Sequence, residues 1–410
     1  MKKISVYILV MISLSCTNIN NNNIKTINNM AYQQGTFGYD LEFLKKFQEV
    51  IVLQDSTGNS QVIISPALQG RVMTSTAAGL NGSSFGWINY KFFNEKKTVS
   101  HFNPYGGEER FWLGPEGGQY SIFFKQGDKF VFDNWNVPKE IDNEPFQVVS
   151  KSQTSAKFER EMHLVNYSGT KFDLKVTREI KLLSKSDIEK ILGLPISDEI
   201  KSVGFETNNT ICNIGKENWT KDKGLLSIWI LSMLTPSPTT TVVVPYKESV
   251  NPGKIVNDDY FGKIPENRLK IANGKIYYKA DGKQRGKIGL TPLRAKPFIG
   301  SYDAENKVLT IANFSLPEQA GEYVNSKWEI HKNPYSGDAV NSYNDGPVDN
   351  GTQMGPFYEI ESSSPVKELK SGESLIHTHR TFHFKGDMKL LNELSLKLLE
   401  TPVDSILKVF

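Results

Sequence analysis

Apolar and polar residues alternate along much of this chain, and the alternation restricts the folds it can adopt. An extended chain points successive side chains to opposite faces, so alternation predicts a strand with one buried and one solvated face. In residues 171–183, KFDLKVTREIKLL, the apolar positions on one face are Phe172, Leu174, Val176, Ile180 and Leu182. Residues 157–165 and the turn at 166–170 precede this strand, and together they predict a hairpin.

Other short β-type segments recur between Gly, Pro, Asn and Asp residues, whereas helical patterns are brief. Such a chain is typical of a large antiparallel β-sandwich, an all-β fold with a few short helices. No internal repeat and no long linker follow residue 32, so we predict a single domain over residues 33–410. The further predicted strands are 49–55, 60–65, 70–76, 225–231, 239–245, 275–280 and 307–314, and the predicted helices are 41–47, 184–192 and 388–400.

The first residues carry the pattern of an export signal. Lys2 and Lys3 precede an apolar run over residues 4–14, which is shorter than the roughly 20 residues needed to span a bilayer. Because the run ends in Ser15 and Cys16, it resembles a lipoprotein signal peptide, residues 1–16, with Cys16 as the lipidated N-terminus. The alternative is an ordinary secretory signal cleaved elsewhere. Residues 17–32 are polar and Asn-rich, which predicts a disordered tether.

These features predict an exported protein of a Gram-negative bacterium, facing the periplasm or the cell surface and attached to the membrane by its lipid alone. The sequence has two Cys, and the assignment of Cys16 to lipid leaves Cys212 without a disulfide partner. The formal net charge is +3, and charges of both signs are mixed along the chain. We therefore expect no nucleic-acid partner. No oligomeric state is predicted.

Residues 101–119, HFNPYGGEERFWLGPEGGQ, combine two Gly-Gly pairs with carboxylates, an Arg and aromatic residues. Glycines let a ligand approach the backbone, and aromatic faces beside charged hydrogen-bonding groups suit a flat, hydroxyl-rich ligand such as a sugar. The alternative is a hairpin in which Arg110 pairs with its own neighbours, Glu108 and Glu109. The candidate saccharide-binding residues here are His101, Glu108, Arg110, Trp112 and Glu116.

Three more segments carry groups capable of chemistry. Residues 204–219 are rich in amides and hydroxyls, including Asn209, and form either part of a site or a self-capped polar loop. Residues 342–365 run from a turn containing Asp345 into a strand on which Glu359 and Glu361 share one face. Those two carboxylates suit an acid/base pair or a cation site, or they simply form a solvated face.

The third segment, residues 371–384, predicts a strand with three histidines, His377, His379 and His383, on one face. A His-x-His strand can hold zinc or another transition metal, although no third ligand lies nearby in sequence. The alternative is a hydrogen-bonded polar face. We therefore predict no cofactor, with a divalent metal as the one alternative.

The pairing of FYEIESSSP with the downstream LKSGESLIHTHRTFHF resembles the C-terminal signature of galactose mutarotase (aldose 1-epimerase) and its superfamily. The resemblance implies a large β-supersandwich with a saccharide groove, and it implies that Glu361, which follows Ile360, is the catalytic base. His101 is the loose counterpart of a sugar-binding His in the family's His-Gly-Gly loop. TNNTICNIG is similar to the family segment that carries the general acid, but the acid position is occupied by Asn209.

An amide cannot donate and recover a proton near neutral pH, so ordinary mutarotation is in doubt and another donor is required. The candidates are His377, His379, Glu116 and Glu359. The sequence thus predicts an exported carbohydrate-active protein acting through Glu361 with a non-standard acid. The alternatives are a non-catalytic saccharide-binding lipoprotein, an envelope interaction protein, and metal-assisted chemistry by the histidines with a carboxylate.

Overall fold

The computed structural model describes residues 31–248, 253–348 and 350–410. The predicted signal peptide, Cys16 and nearly all of the predicted tether lie outside the described residues. Within the described part of the chain, no helix is long and apolar enough to cross a membrane.

The described residues form three antiparallel sheets and six short α-helices, which confirms the predicted all-β class. The helices are α1 Phe37–Leu44, α2 Tyr90–Glu95, α3 Lys139–Asp142, α4 Lys185–Leu192, α5 Met388–Leu399 and α6 Val403–Leu407. The first nine strands are β1 Ile51–Gln54, β2 Gln61–Ser65, β3 Arg71–Thr76, β4 Arg110–Gly114, β5 Gln147–Lys151, β6 Ser155–Val165, β7 Lys171–Leu182, β8 Lys201–Asn213 and β9 Ser227–Leu231. The others are β10 Thr241–Pro245, β11 Leu269–Ala272, β12 Lys275–Lys279, β13 Gly286–Leu290, β14 Phe298–Asp303, β15 Val308–Phe314, β16 Val340–Asn344, β17 Tyr358–Ser363 and β18 Ser374–Lys385.

A ten-stranded sheet faces a five-stranded one across the main core. The large sheet has the order β11-β12-β10-β14-β15-β18-β8-β7-β6-β5, the smaller sheet has the order β13-β16-β17-β9-β4, and β1-β2-β3 form a third sheet. On β7 the side chains alternate between buried and more exposed, as the sequence pattern predicts. Apolar residues of both large sheets form the layer between them.

Helices α4, α5 and α6 cover the outer face of the ten-stranded sheet, where their apolar sides pack on residues such as Phe382 and Phe384. The outer face of the five-stranded sheet carries mostly polar and aromatic side chains instead. Because this face is not covered by a helix layer, it is available to form a site.

Residues 204–213 belong to the long strand β8, so the alternative of a self-capped polar loop is wrong for this stretch. Thr207, Asn209, Ile211 and Asn213 alternate as buried positions facing the core. The buried amides are compatible with a strand because they find partners there: Arg178 Nη1 donates to Asn209 Oδ1 at 2.7 Å.

Candidate functional site

A cavity of about 980 Å³ lies against the outer face of the five-stranded sheet. We call it the sheet pocket. Strand register places the residues of this face side by side: Arg110 and Glu361 both pair with Leu231, and Trp112 pairs with Trp229. Trp229 lines the cavity, whereas Arg110, Trp112 and Glu361 are buried and do not line it. Register partners in an antiparallel sheet point to the same face, so these side chains and their second neighbours share the pocket face. Side chains lining the pocket include Glu116, Trp229, Tyr260, Lys287, Trp328, Asp338, Tyr343 and Asp345.

Glu361 is the buried carboxylate beneath this pocket. Trp229 Nε1 donates a hydrogen bond to Glu361 Oε2 at 2.9 Å, and Lys287 Nζ donates to the same oxygen at 2.8 Å. The Lys287 ammonium also lies 4.7 Å from the centre of the Trp229 ring, within cation–π range. Among the described residues, Glu361 Oε1 has no hydrogen-bond partner. This unpaired oxygen leaves one acceptor site free beneath the pocket. Oε2 of Glu108 and Oε2 of Glu109 are also unpaired, but those two residues lie in the core.

Arg110 joins the segment 101–119 to the C-terminal strands. Its guanidinium forms a buried ion pair with Glu359, and it lies 5.0 Å from the centre of the Trp112 ring. Two segments that are 249 residues apart along the chain at this contact therefore meet on one face of the sheet. Burial raises the pKa of the Glu359 carboxyl, the charge of Arg110 opposes that rise, and the nearby Glu361 adds to it.

Local pairing of Arg110 with its neighbours is wrong, because both neighbouring carboxylates point into the core. Glu108 accepts from Ser75 Oγ at 2.7 Å and lies 2.9 Å from His383 Nε2. Glu109 accepts from Arg178 Nη2 at 2.8 Å. The predicted substrate-binding residue Glu108 thus lies in the core, outside the sheet pocket.

Glu116 is half-buried at the edge of the sheet pocket, just after β4. Burial raises the pKa of the Glu116 carboxyl, and the charge of Glu361 adds to the shift. The Lys287 ammonium and the indoles of Trp328 and Trp135 oppose the shift. Glu116 is therefore a carboxyl group that favours its protonated form more than an exposed Glu does.

Two buried aspartates line the same pocket. Asp338 accepts from Tyr260 Oη at 2.5 Å and from Asn257 Nδ2 at 2.8 Å. Asp345 accepts from Tyr343 Oη at 3.1 Å. Burial raises the pKa of both aspartates. The pocket therefore offers carboxyl, phenol and amide groups beside aromatic rings, a set suited to a ligand with many hydroxyls.

His377 and His379 do share a face of β18, as predicted, but they do not share the pocket with Glu361. Ser362 Oγ lies 2.8 Å from His377 Nε2 and 2.8 Å from His379 Nδ1. Ser362 follows Glu361 on β17 and so points to the opposite face of the sheet. Both histidines thus lie in the layer between the sheets, and their predicted place in the groove is wrong.

Burial lowers the pKa of His377 to about 3, and it lowers the pKa of His379 well below its ordinary value. Both rings are neutral at physiological pH. No group of three or more His, Cys, Asp or Glu residues among those described is arranged to hold a metal ion.

Asn209 and His101 also lie outside the pocket floor. Asn209 is the register partner of His377 and faces the same inner layer, away from Glu361. It therefore does not occupy a proton donor's position beside the predicted base. His101 Nδ1 lies 2.6 Å from the carbonyl oxygen of Trp135, and its ring stacks on Phe132, which lines the pocket. His101 thus packs against Phe132 and does not itself line the pocket.

Sequence reasoning missed Lys287, Trp229, Tyr260 and Asp338. Lys287 lies within a short strand, and nothing local separates it from the other lysines. Its position depends on the β13–β16 and β16–β17 registers, which pair Lys287 with Tyr343 and Tyr343 with Glu359.

Residues 35–410 match the protein family DUF6786, described as a family of unknown function. The chain belongs to this family. A search of the curated proteins finds no match.

Solved structures similar to this chain include members of the galactose mutarotase group, as the sequence motifs predicted. A protein from Synechocystis sp. is 11% identical, with a TM-score of 0.48, over 83% of this chain and 96% of that one. A galactose mutarotase-like protein from Lactobacillus casei is 9% identical, with a TM-score of 0.46, over 82% of this chain and 100% of that one. A galactose mutarotase related enzyme from Lactobacillus acidophilus is 9% identical, with a TM-score of 0.45, over 82% and 98%. At this level of similarity, the matches assign neither activity nor substrate to this family member.

Proposed function

We propose that this family member binds a saccharide in the sheet pocket and that Glu361 accepts a proton from it. The observation that carries the proposal is the free Oε1 of Glu361, a buried carboxylate oxygen beneath a cavity lined by aromatic faces and hydrogen-bonding groups. Aromatic rings pack against the flat faces of sugars, while carboxyl and amide groups bind their hydroxyls. Lys287 holds Glu361 through its other oxygen and so leaves Oε1 free to take the proton.

Glu116 is the proton donor that best fits this proposal. Of the four donors considered from the sequence, His377 and His379 lie behind the sheet, and Glu359 is committed to Arg110. Glu116 lines the pocket, and burial raises its pKa, which favours the protonated form that an acid needs. Glu361 is paired with the Lys287 ammonium beneath the pocket and Glu116 lies in the pocket lining, an arrangement that suits separate base and acid roles.

In this mechanism the sugar gives a proton to Glu361 Oε1 while Glu116 gives one to a ring or leaving-group oxygen of the same sugar. The exchange is balanced, and water restores both groups by returning one proton and removing the other. Mutarotation, epimerisation and elimination all use such a pair. Asn209 lies in the inner layer and so gives no reason to exclude mutarotation.

The test is turnover measured on wild type and two isosteric variants. Polarimetry on common aldoses, together with a product screen on neutral, acidic and keto-sugar oligosaccharides, should find one substrate. On that substrate, Glu361→Gln and Glu116→Gln should each lower kcat by at least 100-fold. Glu393→Gln on the exposed side of α5 is the matched control and should retain full activity. Full activity in Glu361→Gln contradicts the proposed base.

The second candidate is a non-catalytic saccharide-binding protein. It is favoured by the complete burial of Glu361 and by its ion pair with Lys287, since a base must be reached by its substrate. Saccharide binding without turnover on any substrate, with equal affinity in Glu361→Gln, would establish this function instead. For either function, we propose the exported, lipid-anchored location that the N-terminal sequence predicts.

A further inference from the structure

The mouth of the sheet pocket is unusually apolar for a surface exposed to water. The fractional exposures of four large apolar side chains that line it are 60% for Phe132, 43% for Phe261, 42% for Met354 and 38% for Val348. Single exposed apolar residues are common, but several around one opening mark a surface that something covers. We call these four residues the apolar rim.

The two aromatic rings of the rim are fixed in place by stacking from behind. Phe132 stacks against His101 and Trp135, with ring centres 5.3 Å and 6.0 Å away. Arg285 lies 3.9 Å from the centre of the Phe261 ring. Rings held in this way still expose 60% of Phe132 and 43% of Phe261, and they lose little conformational entropy when a ligand contacts them. They are therefore preformed platforms.

The pocket is also large for one sugar. Its volume of about 980 Å³ is near the upper end of the ~300–1,000 Å³ range of small-molecule sites. A single hexose over Trp229 and Lys287 would occupy only part of this cavity. A chain of sugars would fill the depth and then cover the rim.

The charges at the pocket favour a neutral chain. Five carboxyl-bearing residues line it against three cations, and two of the cations, Lys287 and Lys327, are already paired with carboxylates. An acidic glycan would therefore find no cation excess among the described residues. A lipid surface would need basic residues beside the apolar ones, whereas the exposed charges here include Asp259 and Glu329.

We propose that the ligand of the sheet pocket is a neutral oligosaccharide or a segment of a polysaccharide, whose inner sugar lies over Trp229 and whose outer sugars stack on Phe132 and Phe261. This inference rests on the proposed function and adds the size and charge of the ligand to it.

Calorimetry with graded oligosaccharides tests the inference. The probes are cello-, malto-, xylo-, manno- and galacto-oligosaccharides from one to six sugars, with a glycan array to extend the linkages. In at least one series the affinity should rise tenfold or more from monosaccharide to tetrasaccharide. Phe132→Ala should lower tetrasaccharide affinity about tenfold and leave monosaccharide affinity unchanged. Leu293→Ala, an exposed apolar residue outside the pocket lining, is the control.

Failure of this inference and failure of the proposed function give different results. Equal affinity for mono- and tetrasaccharide, with no effect of Phe132→Ala, overturns the inference and keeps the saccharide site. Tighter binding of polygalacturonate or alginate oligomers overturns the neutral class. Binding of anionic vesicles that Phe132→Ala abolishes would assign the rim to a membrane. No saccharide binding at any length overturns the proposed function, and this inference with it.

Discussion

Replacing His377 by Gln should reduce the loss of unfolding free energy that the protein suffers as the pH falls from 7 to 5. His377 is fully buried, and its neutral ring lies 3.0 Å from Ser315 Oγ and 2.8 Å from Ser362 Oγ. Burial lowers its pKa from 6.5 to about 3. The unfolded chain therefore binds a proton at this position below about pH 6.5, whereas the folded chain stays neutral down to about pH 3. The contribution of His377 to stability is complete above pH 6.5 and is lost as the pH falls towards 3.

The size of this pH effect is set by the one proton that His377 binds in the unfolded chain and not in the folded one. One proton bound only by the unfolded state costs about 1.4 kcal/mol per pH unit once the pH is well below 6.5. Integrated from pH 7 to pH 5, the loss is about 2 kcal/mol, because titration of the unfolded chain has only begun at pH 7. The variant lacks this proton and does not suffer the loss. The free energy of unfolding of the wild type, minus that of His377→Gln, should therefore fall by about 2 kcal/mol over this range.

Urea unfolding at pH 7 and at pH 5 measures the difference. Thr381→Val, on the same buried face of β18, removes no titratable group and is the matched control. Its stability difference from wild type should be the same at both pH values. If the His377→Gln difference is also constant, His377 is protonated in the folded protein or accessible to water, and the separation of the histidine layer from solvent is wrong.

Three other predictions concern the ion pairs and the N-terminus. Glu359→Ala leaves Arg110 buried without its carboxylate and should lower the free energy of unfolding by about 3–5 kcal/mol, which urea unfolding measures; a cost below about 1 kcal/mol contradicts the pairing. The double variant Arg110→Met/Glu359→Leu should be more stable than Glu359→Ala by most of that amount, because it has no unpaired buried charge. Cys16→Ser should release the protein from the membrane fraction, and unchanged fractionation would refute the proposed lipid anchor.

The fold class was largely predictable because four long strands, β6, β7, β8 and β18, alternate between buried and more exposed residues along much of their length. The alternation over residues 171–183 corresponds to β7, and the histidines of β18 share a face as the period of two requires. Local patterns also predicted short helices, although α1 begins four residues earlier than expected, at Phe37, where Thr36 caps it. These features depend on neighbours in sequence, which is why sequence alone was sufficient.

The site was only partly predictable, because it depends on which strands are neighbours. Glu361 and His377 are both on C-terminal strands, but β17 belongs to the five-stranded sheet and β18 to the ten-stranded one. The side chains of Glu361 and His377 therefore lie on opposite sides of the five-stranded sheet. A local sequence pattern does not predict this, because it does not show which strands are neighbours. The contact of Lys287 with Glu361 likewise depends on the register of β13 with β16, two strands more than fifty residues apart along the chain, and on that of β16 with β17.

The alternation of Glu361 and Ser362 on β17 has a consequence for how this family can diversify. Glu361 contacts Trp229 and Lys287 on the side of the sheet pocket, and Ser362 contacts the two interior histidines. A deletion of one residue in β17 would exchange the two faces and break both sets of contacts. The length of β17 should therefore stay constant within the family, even where a single residue on one face is replaced.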